Sequence, residues 1–292
     1  VRDFPNYIAR ACESKMTVTR AIGAICLVTL RLIIKLAVTL RIHPNALTVT
    51  GVLINIAAAW MLALGRFLPA GFLMVAANIF DFIDGKVAEE RQLTSPFGGF
   101  WDSVMDRFSD ISLFIGLIYL YAELGRADYV VITALAMMFS VLTSYTRARA
   151  ESLIEKCKVG FMERPERIVL FMIGAFTNRM AAVLWVIGAI SFVTVLDRIY
   201  YTWRALKGSD ARVGQTPHRP PLRVRVLTLP ARALWHALFW TFERVTWQYD
   251  LMVIAILAFV WITPPGWLSD PMAQAPPLIR WVSERLTYVL AS

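Results

Sequence analysis

The sequence predicts an all-α, polytopic membrane helical bundle: six core transmembrane helices, an N-terminal interfacial helix and a C-terminal extension. Three observations carry that expectation. Of the 292 residues, 58% are hydrophobic and only 17% charged, and mean hydropathy is +0.56, outside the balance of an ordinary soluble domain. Apolar stretches recur at intervals too short to hold soluble domains between them. Nearly all of the charge falls in the gaps, where a hydrocarbon layer does not have to accommodate it.

The first element is residues 18–42, VTRAIGAICLVTLRLIIKLAVTLRI, which interleave Arg20, Arg31, Lys35 and Arg41 with apolar residues. That spacing suits an interfacial amphipathic helix with snorkelling basic residues, and makes 1–43 an N-terminal segment of its own. It lacks a compact signal-peptide core, so no cleaved signal is expected. Core spans follow at 47–64, 67–86, 101–123, 128–150, 166–178 and, after a break, 180–200, within a membrane domain of residues 44–204. The fifth falls short of the roughly 20 residues a span needs unless Arg164 to Arg167 belong to its first turns. From 205 to 230 Gly, Pro and Arg replace apolar periodicity, which marks a linker. The Trp- and Phe-rich segment LWHALFWTFERVTWQYD then leads into a weaker span near 249–263, completing an extension over 205–292. Cys12, Cys26 and Cys157 have neither CxxC nor metal-like spacing, which points to free thiols.

Orientation follows from the basic residues. The N-terminal segment, the 147–167 stretch and the 203–247 stretch are rich in Arg and Lys, whereas the alternate connections GRF, ELGRAD and TNR are short. Positive residues stay in the cytoplasm, which places residues 81–106 on the cytoplasmic face of a plasma or inner membrane.

Those residues, DFIDGKVAEERQLTSPFGGFWDSVMD, carry the chemistry. Asp81 and Asp84 lie three apart at the end of one predicted helix, and Asp102 and Asp106 four apart at the start of the next, so each pair shares a helical face. Four carboxylates brought together would repel unless cations sat between them, and an oxygen-only set suits a hard divalent ion. Gly85 and Gly98 remove side chains beside them, leaving room for a bulky ligand. Asp110 continues the Asp102/Asp106 face one turn deeper and reads as structural.

The stretch resembles the signature of the CDP-alcohol phosphotransferase family, D-x2-D-G-x2-A-R-x8-G-x3-D-x3-D, at Asp81, Asp84, Gly85, Ala88, Gly98, Asp102 and Asp106. Glu89 stands where the family has arginine, with Arg91 two residues on. PNALT at 44–48 also resembles the family's lead into its first span, and the likeness ends near residue 204. The resemblance implies that Asp81, Asp84, Asp102 and Asp106 hold two divalent cations, Mg2+ or Mn2+, and that Asp106 is also the general base. It places a CDP-linked lipid at Asp84, Gly85, Ala88, Gly98 and Asp102. Such chemistry is coherent: cations neutralise the diphosphate and the leaving CMP, and a carboxylate accepts the attacking hydroxyl's proton.

The acceptor is addressed by SYTRARAESLIEKCKVGFMERPERIVL, residues 144–170. Clustered guanidinium groups at a membrane face bind phosphate bidentately, which implies an acceptor that itself carries phosphate. SYTRARAE and GFMERPERIVL resemble the matching stretches of bacterial phosphatidylinositol-phosphate synthases, where the positions of Arg147, Arg149, Pro165 and Arg167 line the inositol phosphate pocket. The expected partners are therefore CDP-diacylglycerol, inositol 1-phosphate or a similar phosphorylated alcohol, the lipid bilayer and a second copy in a homodimer, with no nucleic acid. Glycerol 3-phosphate is the rival acceptor within the family. Outside it, a membrane prenyltransferase would spread its aspartates over two distant motifs, and a cation transporter would place carboxylates near the midplane between broken helices.

Overall fold

The computed structural model describes residues 33–211, 247–263 and 267–272. Among these, every regular element is a helix: α1 (Pro44–Ala63), α2 (Phe67–Glu90), α3 (Pro96–Glu123), α4 (Ala127–Glu151), α5 (Arg164–Thr177), α6 (Met180–Ala211) and α7 (Trp247–Ile262). A further helical stretch covers 33–39. The six predicted core spans are α1 to α6, and the weaker one near 249–263 is α7. Residues 18–32 of the predicted interfacial helix lie outside the described residues, as do Cys12, Cys26, the linker beyond 211 and the Trp- and Phe-rich segment ahead of α7. Helix α6 runs on to Ala211, past the composition change at 205.

Local chemistry sets the ends of these helices. Pro44 and Pro96 open α1 and α3, where a missing N–H leaves no intrahelical bond unmade. Gly65 (φ 70°) and Gly125 (φ 65°) adopt the left-handed conformation just after α1 and α3, a stop that glycine makes without steric penalty. Asn178 does the same at φ 56°, its N–H returning to the Gly174 carbonyl, and so splits one apolar run into α5 and α6.

Helices α1, α2, α4 and the Met180–Lys207 part of α6 are long and apolar enough to cross a membrane. Helix α3 has 28 residues, with Asp102, Asp106 and Arg107 in its first half and Asp110 just past its middle. Helix α5 begins at Arg164, as the sequence required, yet reaches only 14 residues because Asn178 ends it. That is below the roughly 20 of an unaided span.

Two compact units divide the described residues, one formed by 33–54 and 76–106, the other by 55–75 and everything from 107 on. In the first, Ile34 and Ala37 pack against Leu47 of α1 and Ile83 and Val87 of α2. The core of the second gathers Leu62, Met74, Leu117, Tyr121, Leu184 and Ile187. Phe114 and Phe171 meet there edge to face at 5.0 Å. Close backbone approach is part of this packing: a Cβ on Gly116 would run into the backbone of Ala59.

Replacing Gly116 with Ala is therefore expected to destabilise the bundle by about 1–3 kcal/mol through overpacking, read as a lower unfolding temperature of the detergent-purified protein. Gly188→Ala is the control, because a Cβ there meets Ala136 no closer than 3.7 Å. Equal melting temperatures for the two variants would refute this account of the α1–α3 contact.

Candidate active site

The end of α2 and the start of α3 are joined by a short turn in which Gln92 takes φ 54°. Returning the chain so tightly brings carboxylates of both helices together: Asp81, Asp102 and Asp106 each offer an oxygen, all within 4.8 Å of one another. Asp102 and Asp106 are four apart and share a face of α3, while Asp81 comes from α2. Asp84, predicted to join them, is instead 6% exposed and its Oδ2 accepts a 2.5 Å hydrogen bond from Thr48 Oγ1 of α1. Three residues along a helix is not a full turn, so Asp84 addresses α1 as Asp81 addresses α3. Thr48 belongs to the PNALT motif, which thereby gains a physical role.

The glycines leave the expected space. Around a Cβ built on Gly85 nothing lies within 4 Å, and at Gly98 only Ser95 Oγ, at 3.2 Å. Ser95 Oγ accepts a hydrogen bond from the Gly98 N–H at 3.0 Å, capping the first turn of α3. Ala88 sits on the same helix, one turn beyond Asp84. Glu89, at the position that departs from the motif, pairs with Lys86 at 2.8 Å on the surface. Arg91 does not take over the missing arginine's place, since its Nη1 donates to the Ile42 carbonyl at 2.8 Å. Three clustered carboxylates with no nitrogen or sulfur ligand fit a hard divalent cation.

The second group of charges lies in the other unit. Arg167 is 3% exposed; its Nη2 donates to Asp110 Oδ2 at 2.6 Å and its Nη1 to Thr143 Oγ1 at 3.1 Å. Asp110 is thus the structural partner of Arg167, with Arg164 Nε a further 3.6 Å away. A cavity of about 10 Å³ beside this pair, room for a single water, is lined by Arg107, Asp110, Ser140, Ser144 and Arg167 among others. Arg147 Nη1 bonds Glu163 Oε1 at 2.8 Å and its Nε bonds Glu151 at 3.2 Å. Pro165 occupies the first turn of α5.

Arg149 stands apart from this network. It is exposed and donates only to Ser152 Oγ, at 3.3 Å; among the described residues it pairs with no carboxylate. The reason is geometric, because residues two apart on a helix point roughly 200° apart. A guanidinium so placed is the one most available to an incoming anion.

Two members of the network escaped the sequence reading. Arg198 is 2% exposed, and donates to the carbonyls of Thr143 and Val159 and to Glu163 Oε1. Glu163 links Arg198 to Arg147. The available signal was the Asp197-Arg198 pair directly after the uncharged run 180–196, a placement that demands partners. Cys157, in the loop between α4 and α5, is fully buried; burial pushes its thiol up, against an opposing pull from Arg198, and an inert thiol results.

If the three carboxylates form a metal centre, Mn2+ titrated into the purified protein and followed by electron paramagnetic resonance should bind at least about tenfold more weakly to Asp102→Ala. Glu89→Ala should bind as the wild type does. Undiminished binding by Asp102→Ala would exclude this site.

Comparison with known proteins bears on both clusters. Residues 41–199 match the profile of the CDP-alcohol phosphatidyltransferase family. The chain is 34% identical over 183 residues to the archaetidylinositol phosphate synthase of Methanothermobacter thermautotrophicus, covering 61% of this chain and 91% of that one. It also resembles the crystal structure of Mycobacterium tuberculosis phosphatidylinositol phosphate synthase with CDP-DAG bound, at a TM-score of 0.56 and 25% identity over 60% of this chain and 93% of the other. The same enzyme in complex with manganese and citrate matches at a TM-score of 0.56 and 27% identity, over 59% and 87% of the two chains. The profile spans more than half of the sequence and takes in the whole Asp81 to Asp106 motif, and the chain belongs to the CDP-alcohol phosphatidyltransferase family.

Proposed function

We propose that this membrane protein joins the phosphatidyl group of CDP-diacylglycerol to inositol 1-phosphate, releasing CMP. The observation that carries the reading is the convergence of Asp81, Asp102 and Asp106 within 4.8 Å, from the two helices of the family motif. Asp81, Asp102 and Asp106, with Asp84 held by Thr48 beside them, are the residues to hold two divalent cations, Mg2+ or Mn2+. Bound there, such ions neutralise the diphosphate and the leaving phosphate of CMP. Open space at Gly85 and Gly98, together with the small side chain of Ala88, admits the CDP group against the backbone. The acceptor hydroxyl attacks the phosphorus that carries the diacylglycerol; the new P–O bond forms as the bond to CMP breaks, and the hydroxyl proton passes to a carboxylate oxygen of Asp106.

On the acceptor side, Arg149, Arg147, Arg167 and Pro165 are the residues assigned to the inositol phosphate. Their parts differ: Arg147 and Arg167 already hold carboxylates, whereas Arg149 has its guanidinium available, which supports a direct grip on phosphate. The weight of Arg and Lys in the N-terminal, 147–167 and 203–247 stretches supports a cytoplasmic active site. Both the archaeal relative and the mycobacterial structures are named as inositol phosphate-type synthases, which favours that acceptor over glycerol 3-phosphate.

The test is to incubate the purified protein with CDP-diacylglycerol and, separately, inositol 1-phosphate, glycerol 3-phosphate, inositol and serine, and to identify the lipid formed. Phosphatidylinositol phosphate and an equal amount of CMP are expected, and both should vanish in Asp106→Asn. Phosphatidylglycerophosphate as the main product would overturn the acceptor, and near-normal turnover in Asp106→Asn would overturn the base.

A charge-assisted hydrogen bond to phosphate contributes roughly 1.5–3 kcal/mol, so Arg149→Ala should raise the KM for inositol 1-phosphate about tenfold to a hundredfold with little change for CDP-diacylglycerol. The Lys156→Ala/Lys158→Ala double variant should give small effects that fade with salt. Equal, salt-sensitive changes in both would remove the case for a phosphate-specific site.

A further inference from the structure

The first turn of α5 presents Pro165 and Arg167, and its own backbone does little to fix it. Glu163 at its N-cap makes no side-chain cap, because its carboxylate is drawn to Arg147 and Arg198. The turn is located from outside instead. Behind it, α6 holds the preceding segment: Arg198 Nε donates to the Val159 carbonyl at 2.9 Å, the Met162 N–H donates to Thr194 Oγ1 at 3.2 Å, and Gly160, at φ 91°, is pressed onto Thr194. Arg164 and Arg167 are tied to Asp110. Glu166 remains, and its Oε1 accepts a hydrogen bond from Tyr249 Oη at 3.2 Å. The Tyr249 ring also packs on Phe161 with centroids 5.1 Å apart.

Tyr249 lies on α7, outside residues 41–199 that match the family. The helix is fixed along its length, with Ile256 and Val260 buried in the core. Past its other end the chain is held by side chains of the bundle: Arg179 Nη1 donates to the Thr263 carbonyl at 2.8 Å and Asn178 Nδ2 to the Met272 carbonyl at 2.7 Å. Tyr129 Oη and Arg126 donate to the carbonyls of Leu268 and Ser269. With its far end anchored to four side chains, α7 is a strut whose near end, Tyr249, bears on the acceptor segment.

We propose that the C-terminal extension supplies a positioning residue for the acceptor site: Tyr249, through Glu166 and Phe161, sets the first turn of α5 and hence the position of the Pro165–Arg167 segment assigned to the phosphorylated acceptor. The inference rests on the assignment of that segment to the acceptor. Tyr249 bears on Glu166 and Phe161, both in the segment assigned to the acceptor, so the acceptor is the substrate whose binding it is expected to set.

Steady-state kinetics on the full-length protein, with CDP-diacylglycerol and inositol 1-phosphate each varied, tests it. Tyr249→Phe, which keeps the ring and loses the hydrogen bond, should raise the KM for inositol 1-phosphate by about threefold to tenfold, and Tyr249→Ala by more, with kcat and the KM for CDP-diacylglycerol near wild type. Glu166→Gln and Tyr249→Phe should be non-additive when combined, since they share the Tyr249–Glu166 hydrogen bond. Additive effects, a matching rise in both KM values, or no change in Tyr249→Ala would overturn the proposal. Arg149→Ala, run alongside, separates the two levels: a raised acceptor KM in that variant with none in Tyr249→Ala removes the strut and leaves the acceptor assignment standing. No change in either variant removes both.

Discussion

An ionised side chain placed in a helix that crosses a bilayer is unfavourable by several kcal/mol unless a partner accompanies it, and the organisation of the second unit follows from meeting that constraint. Asp110, deep on α3, is matched by Arg167 of α5. Arg198, on the longest apolar helix, is matched by Glu163 and by the carbonyls of Thr143 and Val159. These bonds tie α3, α4, α5 and α6 together through polar contacts that lipid cannot supply. Removing a single partner would leave a buried charge alone, which is far more damaging than replacing the pair.

The same constraint accounts for a helix as short as α5. With 14 residues it lacks the length to span by itself, but its N-terminal turn is charged and held by side chains from three other helices. Its C-terminal turn ends in the left-handed Asn178, whose side chain then secures the extension at Met272. A short helix in a membrane protein is held by its neighbours, and here the charged side chains of the first turn and the Asn178 end both have such partners.

In the first unit the chemistry runs the other way. Asp81, Asp102 and Asp106 are brought together without an arginine in the motif position to offset them, because Glu89 stands there and pairs with Lys86. The motif position therefore adds no positive charge beside the cluster, and an oxygen-only carboxylate set of this kind suits a divalent cation. Thr48 bonds one oxygen of Asp84 beside the three, giving the motif's second aspartate an orientation that spacing alone does not specify.

Sequence by itself determined the helical membrane class, the order and approximate limits of α1 to α7, and the aspartates of the motif, since these depend on hydropathy, on proline and glycine at helix ends, and on residue spacing within one hairpin of helices. A structural role for Asp110 was legible too, from its place one turn beyond Asp106, though its partner Arg167 was not. What the tertiary structure decided concerns partners far apart in the chain. Asp84 has one oxygen held by Thr48 of α1; Arg147 and Arg149, two apart in the chain, divide into a paired and an available guanidinium; Glu163 and Arg198 complete a network that no spacing announces. Tyr249, 83 positions from Glu166, reaches it only because α7 folds back onto the bundle. Periodicity reports which face of a helix is apolar, but a hydrogen bond between distant residues depends on how helices are packed, and that is settled by side-chain shape and charge in three dimensions.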